Sequence, residues 1–258
     1  MDSLYFAPSP LILGVAVLVT LVASFVKGAI GFAMPMIMIS GLASFLPAEP
    51  ALAALLMPTL VSNLWQAFRG GLRPALQSAR EYRVYLGVLL VVIALSAQLV
   101  RGLPQGALFL TLGLVVTVFA LVRVVGLRLH VPPHRRRLAD VGIGTVAGFS
   151  GGLAGVWGPP TVMYLAAVDA PKVEAIRVQG VVYLAGAIVL VAAHLRTGVF
   201  NAQTAPLSFL LLVPMVFGMW AGQHVQDRLD QARFRKATLA VLVLAGLNLA
   251  RRGLETLG

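Results

Sequence analysis

The sequence predicts an all-α polytopic membrane protein. It is built from two inverted structural repeats, each with a helical hairpin broken by glycine and proline, and holds about 8–10 membrane segments. Three observations carry this prediction. Hydrophobic residues are 59% of the 258 residues and charged residues only 11%, against roughly 25% charged in a soluble domain. Several apolar runs approach the ~20 residues that cross a bilayer. A glycine and proline pattern occurs twice, 124 residues apart.

The apolar runs cover 9–46, 51–68, 84–101, 105–122, 138–168, 178–195, 205–223 and 237–250. The N-terminal stretch MDSLYFAPSP lacks the basic region of a signal peptide, so the first run is expected to stay in the protein. Runs 9–46 and 138–168 are too long for one simple span, and both contain the glycine and proline cluster. The chain has no cysteine, which excludes disulfides, thiolate metal sites and cysteine nucleophiles.

The duplication is seen by laying VASFVKGAIGFAMP on VAGFSGGLAGVWGP. Phe25, Gly28, Gly31 and Pro35 fall on Phe149, Gly152, Gly155 and Pro159, and Val22 and Ala23 on Val146 and Ala147. Without a gap, Pro47 meets Pro171, Ala51 meets Ala175 and Leu60 meets Leu184. The expected division is a first repeat over 1–122, a basic cytoplasmic linker over 123–137 and a second repeat over 138–258.

The net charge of +11 collects in short segments: RGGLRPALQSAREYR (69–83), RVVGLRLHVPPHRRR (123–137) and QDRLDQARFRK (226–236). This is the bias of cytoplasmic loops, and it makes a nucleic-acid partner unnecessary. If all three loops are cytoplasmic, an even number of crossings must separate each pair. Run 138–168 is then a hairpin, and so is run 9–46. Each half crosses an odd number of times, the halves are inverted, and both termini lie outside the cytoplasm of a bacterial inner membrane.

Small residues spaced by four, at Thr20, Ser24 and Gly28 and at Gly144, Gly148 and Gly152, form a ridge on which another helix backbone can pack. That role does not account for Pro35 or for GPP at 158–160, because proline inside a span breaks the helix. Broken backbone at membrane depth survives only inside protein or beside a watery cavity. Two matched breaks therefore suggest a central site. New helices starting near Pro35 and Pro159 would turn their N-termini inward and favour an anion.

Lys27 has two readings: a site cation, or a cap that snorkels to the cytoplasmic face. Its counterpart Gly151 carries no charge. Asn63 and Gln66 share a helix face, as do Gln179 and Tyr183. Ser150 and Trp157 lie in the second motif. Each of these polar residues suits either the site or an interhelical hydrogen bond. Arg177 faces the site or marks a span end, and His194 and Trp65 are expected at the bilayer surface. Asp140, Asp169 and Glu174 fall near run ends, and no nucleotide loop or HExxH is present. An enzyme such as an intramembrane hydrolase is therefore not expected. Neither is an ATP-driven pump, a sodium or proton exchanger built on buried carboxylates, or a metal site.

The duplicated hairpin, the following ALAALLMPTLVSN (51–63) and the basic central loop resemble the TauE/SafE family of sulfite and organosulfonate exporters, over essentially the whole chain. Ala29, Phe32 and Ala33 stand where the family often has further glycines. The resemblance implies a permease, with no covalent cofactor, that exports sulfur-containing anions, from sulfite to sulfonates such as sulfoacetate and sulfolactate; alternating access is the expected mode. It implies that Gly28, Gly31, Gly152, Gly155 and Pro159 line the site. The partners are then a small anion and the lipid bilayer. A homo-oligomer is compatible with the sequence but not specified by it. With the interior negative, each negative charge leaving is favoured by roughly 2.3 kcal/mol per 100 mV, so uniport is sufficient and proton coupling stays open. The competing readings are an importer or channel for another small anion, and a non-transporting accessory subunit.

Overall fold

A computed structural model describes residues 9–68, 71–125, 130–225 and 231–257. Among the described residues every regular element is helical, and they form two series of six. The first series is α1 (Pro10–Ile30), α2 (Met34–Leu42), α3 (Ala48–Phe68), α4 (Leu72–Glu81), α5 (Arg83–Ser96, prolonged by a 3-10 segment Ala97–Gly102) and α6 (Gln105–Val125). The second is α7 (Arg136–Ala154), α8 (Gly158–Ala167), α9 (Lys172–Thr197), α10 (Ala205–Leu210), α11 (Leu212–Val225) and α12 (Gln231–Leu257). Among the described residues, five helical stretches are long and apolar enough to cross a membrane: Pro10–Ala29, Ala48–Phe68, Arg83–Gly102, Arg177–Thr197 and Ala205–Val225.

Both long apolar runs are hairpins, as their length predicts. The chain leaves α1 through Gly31, whose φ of +84° is a conformation glycine adopts without strain. It leaves α7 through Gly155 at φ +68°. Helix α2 then runs back along α1, because a Cβ on Gly41 would lie 2.6 Å from Val19. At nine and ten residues, α2 and α8 are each about 15 Å long or less. That covers about half of a ~30 Å hydrocarbon core. Each half thus holds one half-depth helix. Pro35 and Pro159 are the second residues of these helices, where a missing N–H does no harm.

The halves interlock by exchange. Helix α1 packs on α11 of the other half, and α7 packs on α5. Equivalent helices also pair with each other. Gly113 of α6 faces Gly246 and Ala250 of α12, while Gly253 faces Gly106 and Leu110, so α6 and α12 run antiparallel. Helices α3 and α9 do the same, with Gly180 against Gln66 and Ala67.

The small-residue ridges form the contacts between halves. Gly144 meets Tyr85 and Val88, and Gly148 meets Leu89 and Val92. Ser24 and Gly28 meet Gly218, Met219 and Gly222. The basic stretch 69–83 is not all loop. Leu72, Ala75, Leu76 and Ala79 recur at helical spacing, and α4 forms there, with Ala75 and Ser78 buried and Leu72 and Leu76 exposed. Arg177 at the start of α9 donates from Nε to Ser78 Oγ at 2.8 Å. It therefore braces α4 and lies away from the hairpin tips. His194, expected at the bilayer surface, is fully buried (0% exposed), whereas Trp65 is partly exposed. Burial follows from the helix face: His194 shares a side of α9 with Tyr183, Ala187 and Leu190, all buried.

Candidate functional site

The site grows from the broken end of α1. Lys27 stands in the last helical turn, where free carbonyls favour a cation. It is only 2% exposed, so its ammonium does not snorkel to the surface. Nζ donates to Ser62 Oγ at 2.9 Å and to Asn63 Oδ1, both on α3. Asn63 Nδ2 in turn donates to the carbonyl of Tyr183 on α9, 3.0 Å away. Gln66 Nε2 donates to the Gly31 carbonyl at 3.3 Å, one of the acceptors freed where α1 stops.

The second hairpin is held in a similar way. Ser150 Oγ donates to the Val156 carbonyl at 2.7 Å and braces the turn after α7. Tyr183 Oη donates to the Gly158 carbonyl at 3.2 Å. Thr161 Oγ1 donates to the Trp157 carbonyl at 2.7 Å. Neither α2 nor α8 has a side chain capping its first N–H groups. Pro35, Pro159 and Pro160 carry no N–H, and the Ile37 and Thr161 N–H groups bond the carbonyls of Ala33 and Trp157. The donors left there are at most those of Met34 and Met36 on α2 and of Gly158 on α8.

A pocket lies between the two hairpin tips. It is lined by Lys27, Phe32, Ala33, Pro35, Met36, Asn63, Gly155, Val156, Trp157, Gly158, Pro159 and Tyr183. Its volume is about 20 Å³, room for about one water molecule. Of the described residues in this lining, Lys27 is the one that is charged, and none is a carboxylate. Among the described residues, no Asp or Glu forms an ion pair with it.

Seven residues singled out in the sequence meet here: Lys27, Pro35, Asn63, Gly155, Trp157, Pro159 and Tyr183. Five do not line the pocket. A Cβ on Gly28 would strike the Met219 carbonyl, and one on Gly152 would strike Ser96 and Ala97, so both sit in helix–helix contacts. Gly31 forms the turn behind the pocket and Ser150 the brace beside it. Gln179 lies half-buried one turn before Tyr183. Phe32, Ala33, Met36, Val156 and Gly158 complete the lining, and Ser62 holds the ammonium. Sequence reasoning assigned none of these six to the site; Gly158 carried a signal as the first residue of GPP at 158–160, and Ser62 as the polar neighbour of Asn63.

A bundle of helices long and apolar enough to cross a membrane, with two broken hairpins meeting at a buried cation, suits a membrane transporter. The chain belongs to the sulfite exporter TauE/SafE family, whose sequence model matches residues 16–249. No curated protein and no solved structure matches the chain.

Proposed function

We propose that the protein exports small sulfur-containing anions, sulfite or organosulfonates such as sulfoacetate and sulfolactate, by alternating access around the Lys27 pocket. The observation that carries this reading is the buried Lys27 ammonium, held by two neutral partners with no carboxylate in the pocket lining. A charge so placed is costly unless something compensates it. An anion entering the pocket supplies that compensation. The N-terminus of α2 offers the N–H groups of Met34 and Met36 and that of α8 only the N–H of Gly158, and a sulfonate has three oxygens to accept them.

Alternating access is supported by the pocket's size and by the packing of the halves. A cavity of about 20 Å³ is too small for a sulfonate, so the hairpins must separate to admit one. The antiparallel pairing of α6 with α12 and of α3 with α9 is the relation expected of inverted repeats, with the site between them. By this reading the basic loops face the cytoplasm of a bacterial inner membrane.

Binding and flux test the reading together. Purified protein is titrated with sulfite, sulfoacetate, sulfolactate, taurine and acetate, and proteoliposomes are assayed for efflux of whichever anions bind. Saturable binding and efflux of a sulfur oxyanion, with weaker response to acetate, is the expected result. Binding to none of them overturns the proposal.

A further inference from the structure

Lys27 has a buried counterpart of opposite sign elsewhere in the molecule. Asp140, one turn into α7, is 7% exposed and accepts a hydrogen bond from Tyr164 Oη of α8. Tyr164 stacks on Tyr85 of α5, with ring centroids 4.3 Å apart and planes 6° from parallel. Tyr85 Oη lies 2.9 Å from Thr161 Oγ1. Thr161 spends its own proton on the Trp157 carbonyl, so Tyr85 is the donor of that pair. Trp157, Thr161 and Tyr164 recur at helical spacing along one side of α8. The buried carboxylate is therefore hydrogen-bonded directly to α8, the half-helix that opens on the pocket, and the stacked Tyr85 bonds a second α8 side chain, Thr161.

The scaffold does not require this arrangement. The positions 124 residues earlier are Ala16 for Asp140, Ile37 for Thr161 and Ser40 for Tyr164, and Phe209 stands opposite Tyr85. The first half builds an equivalent hairpin without them, and Ala16 is fully buried in the place of Asp140. A buried carboxylate that packing does not demand is costly and is a functional candidate.

We infer that Asp140 is the residue whose protonation is coupled to anion movement; this rests on the transport reading above. While ionised, the carboxylate accepts the Tyr164 O–H and ties α8 to α7. Taking one proton from hydronium leaves water and a neutral carboxyl group, which is now itself a donor. Tyr164 loses its anionic acceptor and α8 is released from α7, with Trp157, Gly158 and Pro159 at its pocket end. Proton entry is short, since Arg136, one turn earlier on α7, and its partner Glu81 on α4 are both part-exposed, 3.9 Å apart.

The Arg136 guanidinium lies 4.9 Å over the Tyr82 ring and is near enough to Tyr164 and Asp140 to act on both. It is thus the cation that favours the ionised carboxylate and that protonation must overcome. Tyr82 donates to Glu174 of α9, and burial first, then Glu174, pushes its phenol well above the ordinary value, so it remains a donor. The 3-10 turn Pro133–Arg135 that leads into α7 adds His134 and Arg135, both exposed, and α2 carries no titratable residue.

The test uses proteoliposomes with the membrane potential clamped at zero and sulfite or sulfoacetate as the probe. One coupled proton predicts about tenfold anion accumulation per unit of imposed pH difference. The sign of the effective gradient tells co-movement from exchange, and either sign supports coupling. Asp140→Asn should lose gradient-driven accumulation while keeping anion binding by titration, and Asp140→Glu should retain both. Tyr164→Phe, which keeps the carboxylate, should reduce accumulation per pH unit and covers the case in which the Asn variant fails to fold. Wild-type protein that binds the anion but ignores the gradient overturns the proposal, as does an Asn variant that accumulates like wild type. Wild-type protein that binds neither anion defeats the transport reading itself, and this proposal falls with it.

Discussion

The Asn63 side chain on α3 donates to the backbone carbonyl of Tyr183 on α9, 3.0 Å away, while its oxygen accepts from Lys27. One carboxamide therefore joins the first hairpin's cation to a helix of the other half. Tyr183 continues the connection, because its hydroxyl donates to Gly158 at the tip of the second hairpin. The pocket is thus closed by a hydrogen-bonded chain from Lys27 to Gly158, and an anion that takes hold of Lys27 competes with the first link of it.

Asn63→Asp tests that link by placing a carboxylate beside the ammonium. An ion pair at this depth is stronger than at an exposed surface, so it should satisfy Lys27 and repel an entering anion. Anion affinity should fall at least ~10-fold, about 1.4 kcal/mol, with the protein still folded by circular dichroism. Unchanged affinity would show that the ammonium is not what attracts the anion.

The glycines at the contacts between halves should behave differently from those at the turns. Gly28→Ala and Gly152→Ala push a methyl group into the α11 and α5 backbones and should cost about 1–3 kcal/mol each by overpacking. Gly31→Ala meets no atom within 4 Å but must hold φ at +84°, a strain of about 1–2 kcal/mol. Melting temperatures of the purified variants should all fall, and Gly28→Ala and Gly152→Ala should most often fail to yield folded protein. If Gly28→Ala and Gly152→Ala melt with the wild type, the close approach of these helices is wrong.

Orientation can be read by labelling, since the chain has no native cysteine. Ser3→Cys should react with an impermeant maleimide added outside the cell, and Arg135→Cys only after the membrane is opened. Labelling of position 135 in intact cells would invert the assignment of the basic loops.

The hairpin breaks were legible because their causes are local. A proline cannot donate and a left-handed turn prefers glycine, so Gly31 with Pro35 and Gly155 with Pro159 mark the breaks by themselves. The repeated motif was legible for the same reason, and the order of elements in α1–α6 and α7–α12 is compatible with it. The pocket's apolar walls were not. Phe32, Met36 and Val156 differ in no chemical respect from side chains that face lipid, and only folding decides which way they turn. Gly28 and Gly152 were ambiguous because close helix packing and a backbone-lined site call for the same small residues. Ser62 and Asp140 depend on partners 35 and 24 residues away, and nothing in their own neighbourhood announces those partners. Helix α4 was hidden by its four flanking and internal arginines, which mark a loop as readily as an amphipathic helix.

The central claim is that Lys27 binds the transported anion, and titration of three purified proteins tests it most directly. Sulfite and sulfoacetate are added to wild type, Lys27→Gln and Lys27→Arg, and dissociation constants are compared. The Gln variant should bind at least ~10-fold more weakly, about 1.4 kcal/mol. The Arg variant keeps the charge, but its planar fork is larger and fixed in geometry, so it should fit the Ser62 and Asn63 acceptors poorly and bind more weakly than wild type. Equal dissociation constants for all three would remove Lys27 from the site and contradict the account.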